Sequence, residues 1–556
     1  MFDQYQKFCV FDYETFSEAN IKLCGSYEYS MHESTEVLVA SWLVGTLKEL
    51  QRALKRGTKA SSYAPKRSWN KHRKDLRTGE QLLKILNDPS IIIVAHNALF
   101  EQAITRNVFI KHVRKLLNIK GPWIIPHERF LCTAVLSSVC ALPRSLDGAT
   151  AALKLDHVKD KVGHRLMLNW CKPKKPSKKD PTTRYLKNFD RLVEYCEHDI
   201  YAEVALLLTL PQLKPSERKL WLFDQEINFR GAKVDRELVS LILKMIAEEK
   251  AHLVKQLRLL TKGKVQTGGQ TAVIKKWCRR NGVKLPNLQA KTVQDAINNK
   301  ETSELVRKVL TIRTSLNKTS LKKYSAFLNH TTSDSYMRFS LNFAATVHGR
   351  WGGAGVQPHN FPRGTLKYDL HYTDDFGKPQ KQERDLASYA ADLIKSGTSL
   401  EFLRSMFEDP IEVFVSCLRC MIITEEDEDL YVSDFSAIEA RVLFWLADHE
   451  EGLLAFIEKR KMYEELAMVI FKKTSISQVT KDERFIGKQS FLLSGYGGGW
   501  KKFQSTCEGL GNPVTTQVAK KAIDGYRKVN APVVKLWSNL SNAAISAVQN
   551  PSKLSK

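Results

Sequence analysis

Residues 430–443 read LYVSDFSAIEARVL, and this stretch determines the interpretation of the second half of the chain. Its apolar, β-branched start predicts a strand, and the 3.6-residue spacing of the later apolar residues predicts a helix. Asp434 would then lie at the end of the strand, where its carboxylate and the Phe435 carbonyl can serve as oxygen ligands for Mg²⁺. The alternative is that Asp434 is the N-cap of the following helix, which is a common position for Asp.

A second stretch repeats its informative side chains every four residues. Four of them fall on one face of a predicted helix, which the glycines at 497–499 should end: Arg484, Lys488, Leu492 and Tyr496. Two cations, one apolar residue and one aromatic on one face suit a helix that binds a triphosphate at one end and stacks on a base pair at the other. A solvated basic face and a core aromatic residue are the alternatives.

The two stretches together resemble motifs A and B of the family A DNA polymerases, especially those of bacteriophages. Residues 349–351 and 357–363 are similar to the family element that tracks the primer-template minor groove, and Arg419 matches an arginine just ahead of motif A. The family usually has His-Thr-Gly-Arg where this chain reads VHGR at 347–350. No role is therefore carried over to His348.

The resemblance implies a role in nucleotide addition for each matching residue. Asp434 would bind two Mg²⁺ ions, with Mn²⁺ as a substitute, and Glu439 would exclude a sugar 2′-hydroxyl. Arg484 and Lys488, the latter also catalytic, would hold the incoming deoxynucleoside triphosphate, and Tyr496 would check the nascent pair. Leu492 occupies a nucleotide-binding position where the family commonly has Phe or Tyr, so sugar selectivity is not carried over. The implied DNA-binding residues are Arg350, Gln357, Asn360, Arg419, Arg441 and Gly497.

The first 210 residues contain an independent set of acidic side chains. The apolar run at residues 8–14 predicts a strand, and its period of two places Asp12 and Glu14 on the same face. A second short strand, predicted at residues 91–94, runs into a segment that carries Glu101. Two separate segments therefore offer carboxylates that can meet in a folded domain.

Tyr195 and Asp199 complete this set, because they are one helical turn apart. Four carboxylates suit two divalent ions about 4 Å apart, of which one activates water and the other stabilises the leaving oxygen of a phosphodiester. Their order and spacing resemble the three motifs of the DEDD-class 3′–5′ proofreading exonucleases whose third motif begins with Tyr. In that class Tyr195 would orient the attacking water, and Glu101 stands in place of the usual Asp, which a flexible metal shell tolerates. Read singly, each acid is more often a surface charge.

Composition favours a polyanionic partner. The chain has 556 residues, 43% of them hydrophobic, and a formal net charge of +26. Neutralisation of phosphates drives much nucleic-acid binding. Ten Lys or Arg residues and one acid lie in the segment 52–77, and a second basic run spans 172–179. Each segment either binds DNA or is a solvated insertion, so neither is assigned a site.

The cysteines and the hydropathy pattern bear on the compartment. The ten cysteines are scattered, and Cys417 and Cys420 form a CxxC without a partner pair, which favours buried thiols over a zinc site. The absence of a regular disulfide framework favours a reducing compartment. With no signal peptide and no apolar run of about 18 residues, we expect no membrane partner and a location in the cytoplasm, by resemblance that of an infected bacterial host.

The predicted fold class is a multidomain chain of α/β and α+β parts. An RNase H-like 3′–5′ exonuclease domain should occupy residues 1–212, and an incomplete right-hand polymerase domain residues 213–556. Within the second, a thumb is expected at about 236–330, and palm and fingers at about 342–556.

A His-Asp-Glu motif, which the family uses for its second palm carboxylate, does not occur in the sequence. The resemblance therefore implies a chain truncated before motif C, which binds primer-template DNA and deoxynucleoside triphosphates and has a separately encoded palm fragment or a processivity factor as further candidate partners. Three functions remain open: a proofreading DNA polymerase, a 3′–5′ exonuclease with a polymerase-like DNA-binding half, and an inactive DNA-binding remnant.

Overall fold

The computed structural model describes residues 7–63, 76–111, 113, 125–157, 160–171, 189–373, 379–510 and 512–550. The chain divides into two compact units, one of residues 1–288 with 295–430 and the other of residues 289–294 with 431–556. Helices and strands occur together in the first unit, so the expectation of a mixed α/β chain is confirmed.

Twenty-four α-helices are described. Those up to residue 330 are α1 (Ile21–Met31), α2 (Leu47–Arg56), α3 (Leu76–Asn87), α4 (Ala98–Ile104), α5 (Thr133–Val139), α6 (Leu146–Ala152), α7 (Lys161–Trp170), α8 (Phe189–Thr209), α9 (Pro215–Arg230), α10 (Arg236–Leu260), α11 (Thr271–Arg280), α12 (Ala290–Asn298), α13 (Glu304–Leu316) and α14 (Lys322–His330). The later ones are α15 (Ala387–Lys395), α16 (Leu400–Phe407), α17 (Pro410–Ser416), α18 (Ile438–Leu446), α19 (Glu450–Ile457), α20 (Met462–Phe471), α21 (Lys481–Ser494), α22 (Trp500–Gly509), α23 (Thr516–Val529) and α24 (Ala531–Gln549).

The described strands form four sheets. The strands are β1 (Lys7–Phe16), β2 (Glu36–Gly45), β3 (Ser61–Tyr63), β4 (Ile91–Ala95), β5 (Phe130–Cys132), β6 (Ala232–Val234), β7 (Tyr336–Met337), β8 (Leu341–Asn342), β9 (Gly352–Gly353), β10 (Lys367–Thr373), β11 (Pro379–Asp385) and β12 (Ile422–Ile423). The largest sheet has the order β3-β2-β1-β4-β5, and three small sheets have the orders β12-β6-β7, β8-β9 and β10-β11.

Strand β1, which the sequence predicts as a strand, is central in the five-stranded sheet. It pairs antiparallel with β2 and parallel with β4, and most of its residues are buried. A strand covered on both faces carries a nearly continuous apolar run, which explains Phe8–Phe11. Asp12 and Glu14 interrupt this run on one face, at the end where β1 outlasts its pairing with β4. The fold therefore holds two carboxylates near the C-terminal end of the central strand.

The remaining part of the first unit is mainly helical. The segment expected to be a thumb, 236–330, contains helices α10 to α14. Helix α10 begins at an Asp235 N-cap, whose carboxylate accepts from the Leu238 amide. Its buried face joins a hydrophobic core with α14, α15 and α17. The polar stretch near residues 366–385 forms the antiparallel hairpin β10-β11.

The second unit is helical in its described residues, and it corrects one prediction. Residues 430–436 form no strand, so Asp434 does not lie at a strand end. Tyr431 and Val432 are 92% and 95% exposed, and no described strand pairs with them. An apolar alternation specifies a strand only where a neighbour supplies the hydrogen bonds. Helix α18 follows as predicted, but its N-cap is Ala437, at φ 50, so the N-cap alternative for Asp434 is also wrong.

Helix α21 corrects a second prediction. It begins at a capping box formed by Thr480 and Glu483 and ends at Ser494, before the glycines at 497–499. Arg484, Lys488 and Leu492 lie on it, whereas Tyr496 lies in the turn beyond its end. The four-residue spacing therefore describes one helix face only up to Leu492.

Two sequence features lie wholly or partly outside the described residues. The basic segment 52–77 is described only at its two ends, and the basic run 172–179 is not described. All ten cysteines are described as free thiols, with Cys417 buried and Cys420 half-buried. Among the described helices, none combines the length and apolarity needed to cross a membrane.

Candidate metal centre and nucleotide-binding helix

Three acidic side chains from two distant parts of the sequence converge. Asp12 and Glu14 on β1 and Asp199 on α8 each present a carboxylate oxygen, and these oxygens lie within 4.8 Å of one another. Helix α8 packs across β1 and β2 through apolar residues, which brings Asp199 to the strand although 185 residues separate it from Glu14. The structure thus places together three of the four predicted metal ligands.

Glu101 and Tyr195 border this triad. Glu101 lies on α4, directly after β4, and is 3% exposed. Burial first, and then the negative charge of Asp12, raises the pKa of the Glu101 carboxyl well above its usual range. Burial and the charge of Asp199 likewise raise the pKa of the Tyr195 hydroxyl. Tyr195 therefore remains a neutral phenol, able to donate and accept hydrogen bonds.

The donor set fits hard divalent cations. Its members are carboxylate oxygens, which Mg²⁺ and Mn²⁺ prefer over nitrogen and sulfur ligands. The Glu101 Oε2 atom is buried and has no hydrogen-bond partner among the described residues. No arginine or lysine is among the main influences on the pKa of Glu101 or Tyr195. Buried carboxylates without a cation are costly, so a bound metal would relieve a real electrostatic penalty.

Close packing holds Tyr195 in this position. Gly163 on α7 faces the tyrosine so closely that a Cβ atom there would lie 2.5 Å from Tyr195 Cδ2. Asp160 caps the start of α7 by accepting from the amides of Val162 and Gly163, and it also pairs with Arg191 on α8. Helices α7 and α8 are thereby fixed to each other beside the acidic cluster.

A fifth acid, Glu203, was not identified from the sequence. It lies one helical turn beyond Asp199 on α8 and is 1% exposed. Burial and the charges of Asp12, Glu101 and Asp199 raise the pKa of its carboxyl well above the usual range. The only sequence signal was the spacing of four from Asp199, which a solvated helix face shows equally often.

A buried polar chain begins beside Glu101. The Gln102 amide donates to Gln225 Oε1 (2.9 Å), and the Gln225 amide donates to Asp224 Oδ2 (3.0 Å). The Trp351 indole N–H donates to Asp224 Oδ1 (2.7 Å). Burial raises the pKa of Asp224 to about 6. The helix that carries Glu101 is thus connected by hydrogen bonds to the loop that carries Arg350.

A cavity of about 710 Å³ opens next to the same helix. Asn97, at the N-terminal end of α4, lines it together with Lys22, Lys322 and the half-buried His330. Its lining is polar and carries two cations, so it suits a phosphate-bearing chain more than an apolar ligand. Asn97 and Leu99 are the residues at the start of α4 that line the cavity.

The predicted nucleotide-binding residues lie in the second unit, all of them on helices except Tyr496, which lies in the turn after α21. Arg484 donates to Glu464 (2.8 Å), Lys488 is half-buried on the same helix, and Leu492 is partly exposed. The Tyr496 hydroxyl donates to the Glu439 carboxylate on α18. Two of the residues assigned to the sugar and the nascent pair are therefore in contact, although they are 57 positions apart.

Asp434 differs in its exposure from the acidic residues of the metal cluster, Asp12, Glu14 and Asp199. It is exposed, and it belongs to none of the described clusters of three acidic or thiol ligands that could hold a metal ion. Arg441 folds back so that its guanidinium donates to the Ser436 carbonyl (2.8 Å) and lies 4.3 Å from the Phe456 ring centre. Gly497 follows Tyr496 in the left-handed region, at φ 72.

The residues assigned to the minor-groove element lie in the first unit. Gln357 adopts φ 54, in the left-handed region, and its side chain accepts from the Asn360 amide (3.0 Å). Arg419 donates to the Phe361 carbonyl (3.3 Å). Gln357, Asn360 and Arg419 are therefore gathered around the turn at 357–361.

Comparison with known proteins agrees with this architecture. No protein-family model matches the chain. Its fold is similar to the POL domain of Pol1 from M. smegmatis, solved in complex with DNA primer-template and dNTP, at a TM-score of 0.53 and 12% identity, over 93% of this chain and 73% of that one. At this level of identity the likeness shows that this chain shares the fold of that polymerase domain.

The sequence gives a closer relationship. The chain is 32% identical over 490 residues to the DNA polymerase of Bacillus phage SP02, which covers 85% of this chain and 70% of the relative. The chain belongs to this family of phage DNA polymerases. The resemblance inferred from residues 430–443 and 484–497 is confirmed.

Proposed function

We propose that this DNA polymerase family member has two catalytic centres, a 3′–5′ exonuclease in residues 1–212 and a nucleotide-adding centre in residues 213–556. The observation that carries the exonuclease is the convergence of the Asp12, Glu14 and Asp199 carboxylates. The order β3-β2-β1-β4-β5, with the acids on the central strand, supports an RNase H-like domain.

The residues of this centre have separate tasks. Two divalent cations, when bound, would activate water and stabilise the leaving 3′ oxygen. Asp12, Glu14, Glu101 and Asp199 would hold them. The neutral Tyr195 hydroxyl would orient the water by hydrogen bonding, because its raised pKa prevents it from becoming a competing phenolate. The cavity lined by Asn97 and Lys22 would admit a single-stranded 3′ end.

The exonuclease is tested with a 5′-labelled primer-template that ends in a mismatch. Asp12→Ala should reduce Mg²⁺-dependent shortening of the primer by more than ~100-fold. Loss of a group that only supports a metal ligand already costs up to ~100-fold, and Asp12 would itself be a ligand. DNA binding should persist, because no phosphate-binding cation is removed. Asp88→Ala is the matched control, since the Asp88 carboxylate accepts hydrogen bonds from Ser90 in the loop before β4. Unchanged shortening by Asp12→Ala would refute the centre.

The nucleotide-adding centre is supported by family membership and by the positions of Arg484 and Lys488 on α21. We infer that the side chains of Arg484 and Lys488 bind the triphosphate of a deoxynucleotide, while Asp434 provides a Mg²⁺ ligand. Glu439 and Tyr496, which already contact each other, would check the sugar and the nascent base pair. The turn at 357–361 with Arg350 and Arg441 would contact primer-template DNA.

This centre is tested by adding the four deoxynucleotides to a matched primer-template. Extension by the purified chain supports synthesis, shortening alone favours the exonuclease with a DNA-binding half, and neither activity favours the DNA-binding remnant. Lys488→Ala should raise the KM for deoxynucleotides roughly 10- to 100-fold, as expected when a hydrogen bond to a charged group is lost. Lys502→Ala, an exposed change on α22, is the control. An unchanged KM for Lys488→Ala would refute that role.

A further inference from the structure

Helix α8 presents three buried polar residues on one face. Tyr195, Asp199 and Glu203 follow at steps of four, which places them one above another. They are 0%, 4% and 1% exposed. Tyr195 and Asp199 belong to the proposed exonuclease centre, so Glu203 extends the same face of the helix into the protein interior.

The surroundings of Glu203 are acidic. Burial, and then the charges of Asp12, Glu101 and Asp199, raise the pKa of the Glu203 carboxyl. No arginine or lysine of the described structure is among the main influences on that pKa. The Glu203 Oε2 atom is buried and has no hydrogen-bond partner among the described residues, and the same holds for Glu101 Oε2. A buried carboxylate oxygen without a partner is expensive. Two such oxygens in one cluster therefore point to a missing ligand.

Another glutamate on the same helix shows the difference. Glu197 is also buried, at 7% exposure, but its Oε1 atom accepts a hydrogen bond of 2.7 Å from the Ser62 hydroxyl. Its carboxylate is thus satisfied by the protein itself. Burial on α8 therefore does not by itself deprive a glutamate of a hydrogen-bond partner. The lack of a described partner for Glu203 Oε2 is specific to the neighbourhood of Glu203.

The two proposed divalent cations differ in the number of protein carboxylates that are available to hold them. Asp12, Glu14 and Asp199 already bring three oxygens within 4.8 Å of one another, which is enough to anchor one ion. Glu101 and Glu203 are both outside that group, so a second ion shared by Asp12 and Glu101 would have only two protein carboxylates. Glu203, on which the charges of Asp12 and Glu101 act, would supply a third carboxylate.

We propose that Glu203 is a fifth carboxylate of this centre and that it holds the second divalent cation together with Glu101 and Asp12. The inference rests on the exonuclease centre proposed above and assigns a ligand to it that the DEDD pattern lacks. Glu203 and Glu101 are both longer than Asp, and the pair allows their carboxylates to reach one ion from two different helices.

The test counts Mn²⁺ ions bound to the full chain by electron paramagnetic resonance of the free ion. All proteins carry Asp434→Asn, so that ions at the nucleotide-adding centre do not contribute. The parent should bind two ions. Glu203→Gln should keep the first and bind the second at least ~10-fold more weakly, within the range for perturbed metal sites. Glu197→Gln is the matched control and should bind both ions as the parent does.

A second readout follows the same proteins by thermal unfolding. Mn²⁺ should raise the Tm of the parent and of Glu197→Gln by the same amount, and that of Glu203→Gln by less, because a ligand stabilises only the state that binds it. If Glu203→Gln does not fold, Glu203→Asp replaces it. Its side chain is shorter by one methylene, which should still weaken binding of the second ion.

The outcomes separate this inference from the function on which it rests. Two ions bound with parental affinity by folded Glu203→Gln or Glu203→Asp would overturn the role of Glu203 and leave the exonuclease centre intact. A parent whose Mn²⁺ binding is unaffected by Asp12→Ala would overturn the centre itself. Loss of the second ion in Glu203→Gln, but not in Glu197→Gln, would establish Glu203 as a ligand.

Discussion

The acidic cluster around Asp12 and the segment around Asp434 both contain proposed metal ligands, but their surroundings differ. Asp12 lies on a strand that is paired on both sides, and its neighbours Glu14 and Asp199 are buried. Residues 430–436 are all exposed, and none of their amides donates a backbone hydrogen bond to a described residue. The first motif is positioned by its own fold. We propose that DNA and nucleotide position the second when they bind.

The largest expected effect is therefore in amide hydrogen exchange. Amides in the paired part of β1, residues 8–13, should exchange at least about 1,000-fold more slowly than those of 430–436, because exchange in β1 requires breaking a buried sheet. Peptide-level mass spectrometry after seconds to hours in deuterium oxide measures this ratio. Equal rates would contradict the contrast between the two motifs.

Primer-template with a correct deoxynucleotide sharpens the same comparison. If substrates order the Asp434 segment, exchange at 430–436 should slow in their presence, while β1 should not change. A Lys488→Ala chain saturated with DNA but unable to hold the nucleotide is the control, and it should show less protection. Protection of β1 instead would indicate that the DNA binds at the exonuclease centre.

A change at Gly163 should disturb the buried centre without touching an acid. The Cβ of Gly163→Ala would lie 2.5 Å from Tyr195 Cδ2 and 2.7 Å from Asp160 Oδ2. We expect a loss of about 1–3 kcal/mol in the free energy of unfolding, as for overpacking, together with slower degradation of DNA because Tyr195 is displaced. Urea unfolding and a primer-shortening assay measure the two effects.

Gly509→Ala is the matched control for this change. A Cβ at Gly509, the last residue of α22, would meet no atom within 4 Å. Alanine in place of glycine in a helix should then leave the stability unchanged or increase it slightly. If both alanine variants behave alike, the close contact between α7 and Tyr195 does not constrain the centre.

The sequence predicted the acidic strand well because its evidence is local. Phe8–Phe11 is apolar without interruption, and the period of two then fixes the common face of Asp12 and Glu14 whichever strands flank it. The same logic failed at Leu430–Val432, where the apolar run is similar but the described structure offers no neighbouring strand. A strand pattern predicts a strand only together with its partners.

The site could be predicted less completely than the strand. Glu203 has the spacing of a solvated helix residue, and only tertiary burial distinguishes it from Glu194, which is exposed on the same helix. Tyr496 continues the spacing of Arg484 and Lys488, but the helix ends two residues earlier, which is within the usual uncertainty of a helix boundary. Contacts between distant segments, such as Glu439 with Tyr496, have no sequence signal.

The next effect concerns the buried polar chain that starts beside Glu101. Asp224 has a pKa raised to about 6 from 3.8, because burial outweighs the hydrogen bonds from Trp351 and Gln225 and the charge of Arg144. The folded state therefore binds a proton more tightly than the unfolded state, and stability is gained as the pH falls through 6 and lost as it rises.

This shift predicts a difference between the wild type and Asp224→Asn. From pH 8 to pH 5 the wild type should gain about 1.4 kcal/mol in unfolding free energy relative to the variant. Urea unfolding at both pH values measures it. Asp88→Asn is the control, because the pKa of Asp88 is lowered by hydrogen bonds from Ser90 and gives no gain in this window. A variant that tracks the wild type would show that Asp224 does not titrate there.

The smallest expected effect returns to the exposed region. Tyr496→Phe removes the hydroxyl that donates to Glu439, but Tyr496 is 69% exposed, so water replaces the lost partner and the unfolding free energy should change by less than about 0.5 kcal/mol. Tyr324→Phe is the buried reference. The Tyr324 hydroxyl donates to the Phe414 carbonyl (2.5 Å) in the core, and its loss leaves a buried acceptor short of a partner, which costs about 1–3 kcal/mol. A cost for Tyr496→Phe as large as that for Tyr324→Phe would mean that the contact with Glu439 is shielded from water, and the Asp434 region would then be more firmly positioned by its own fold than its exposure indicates.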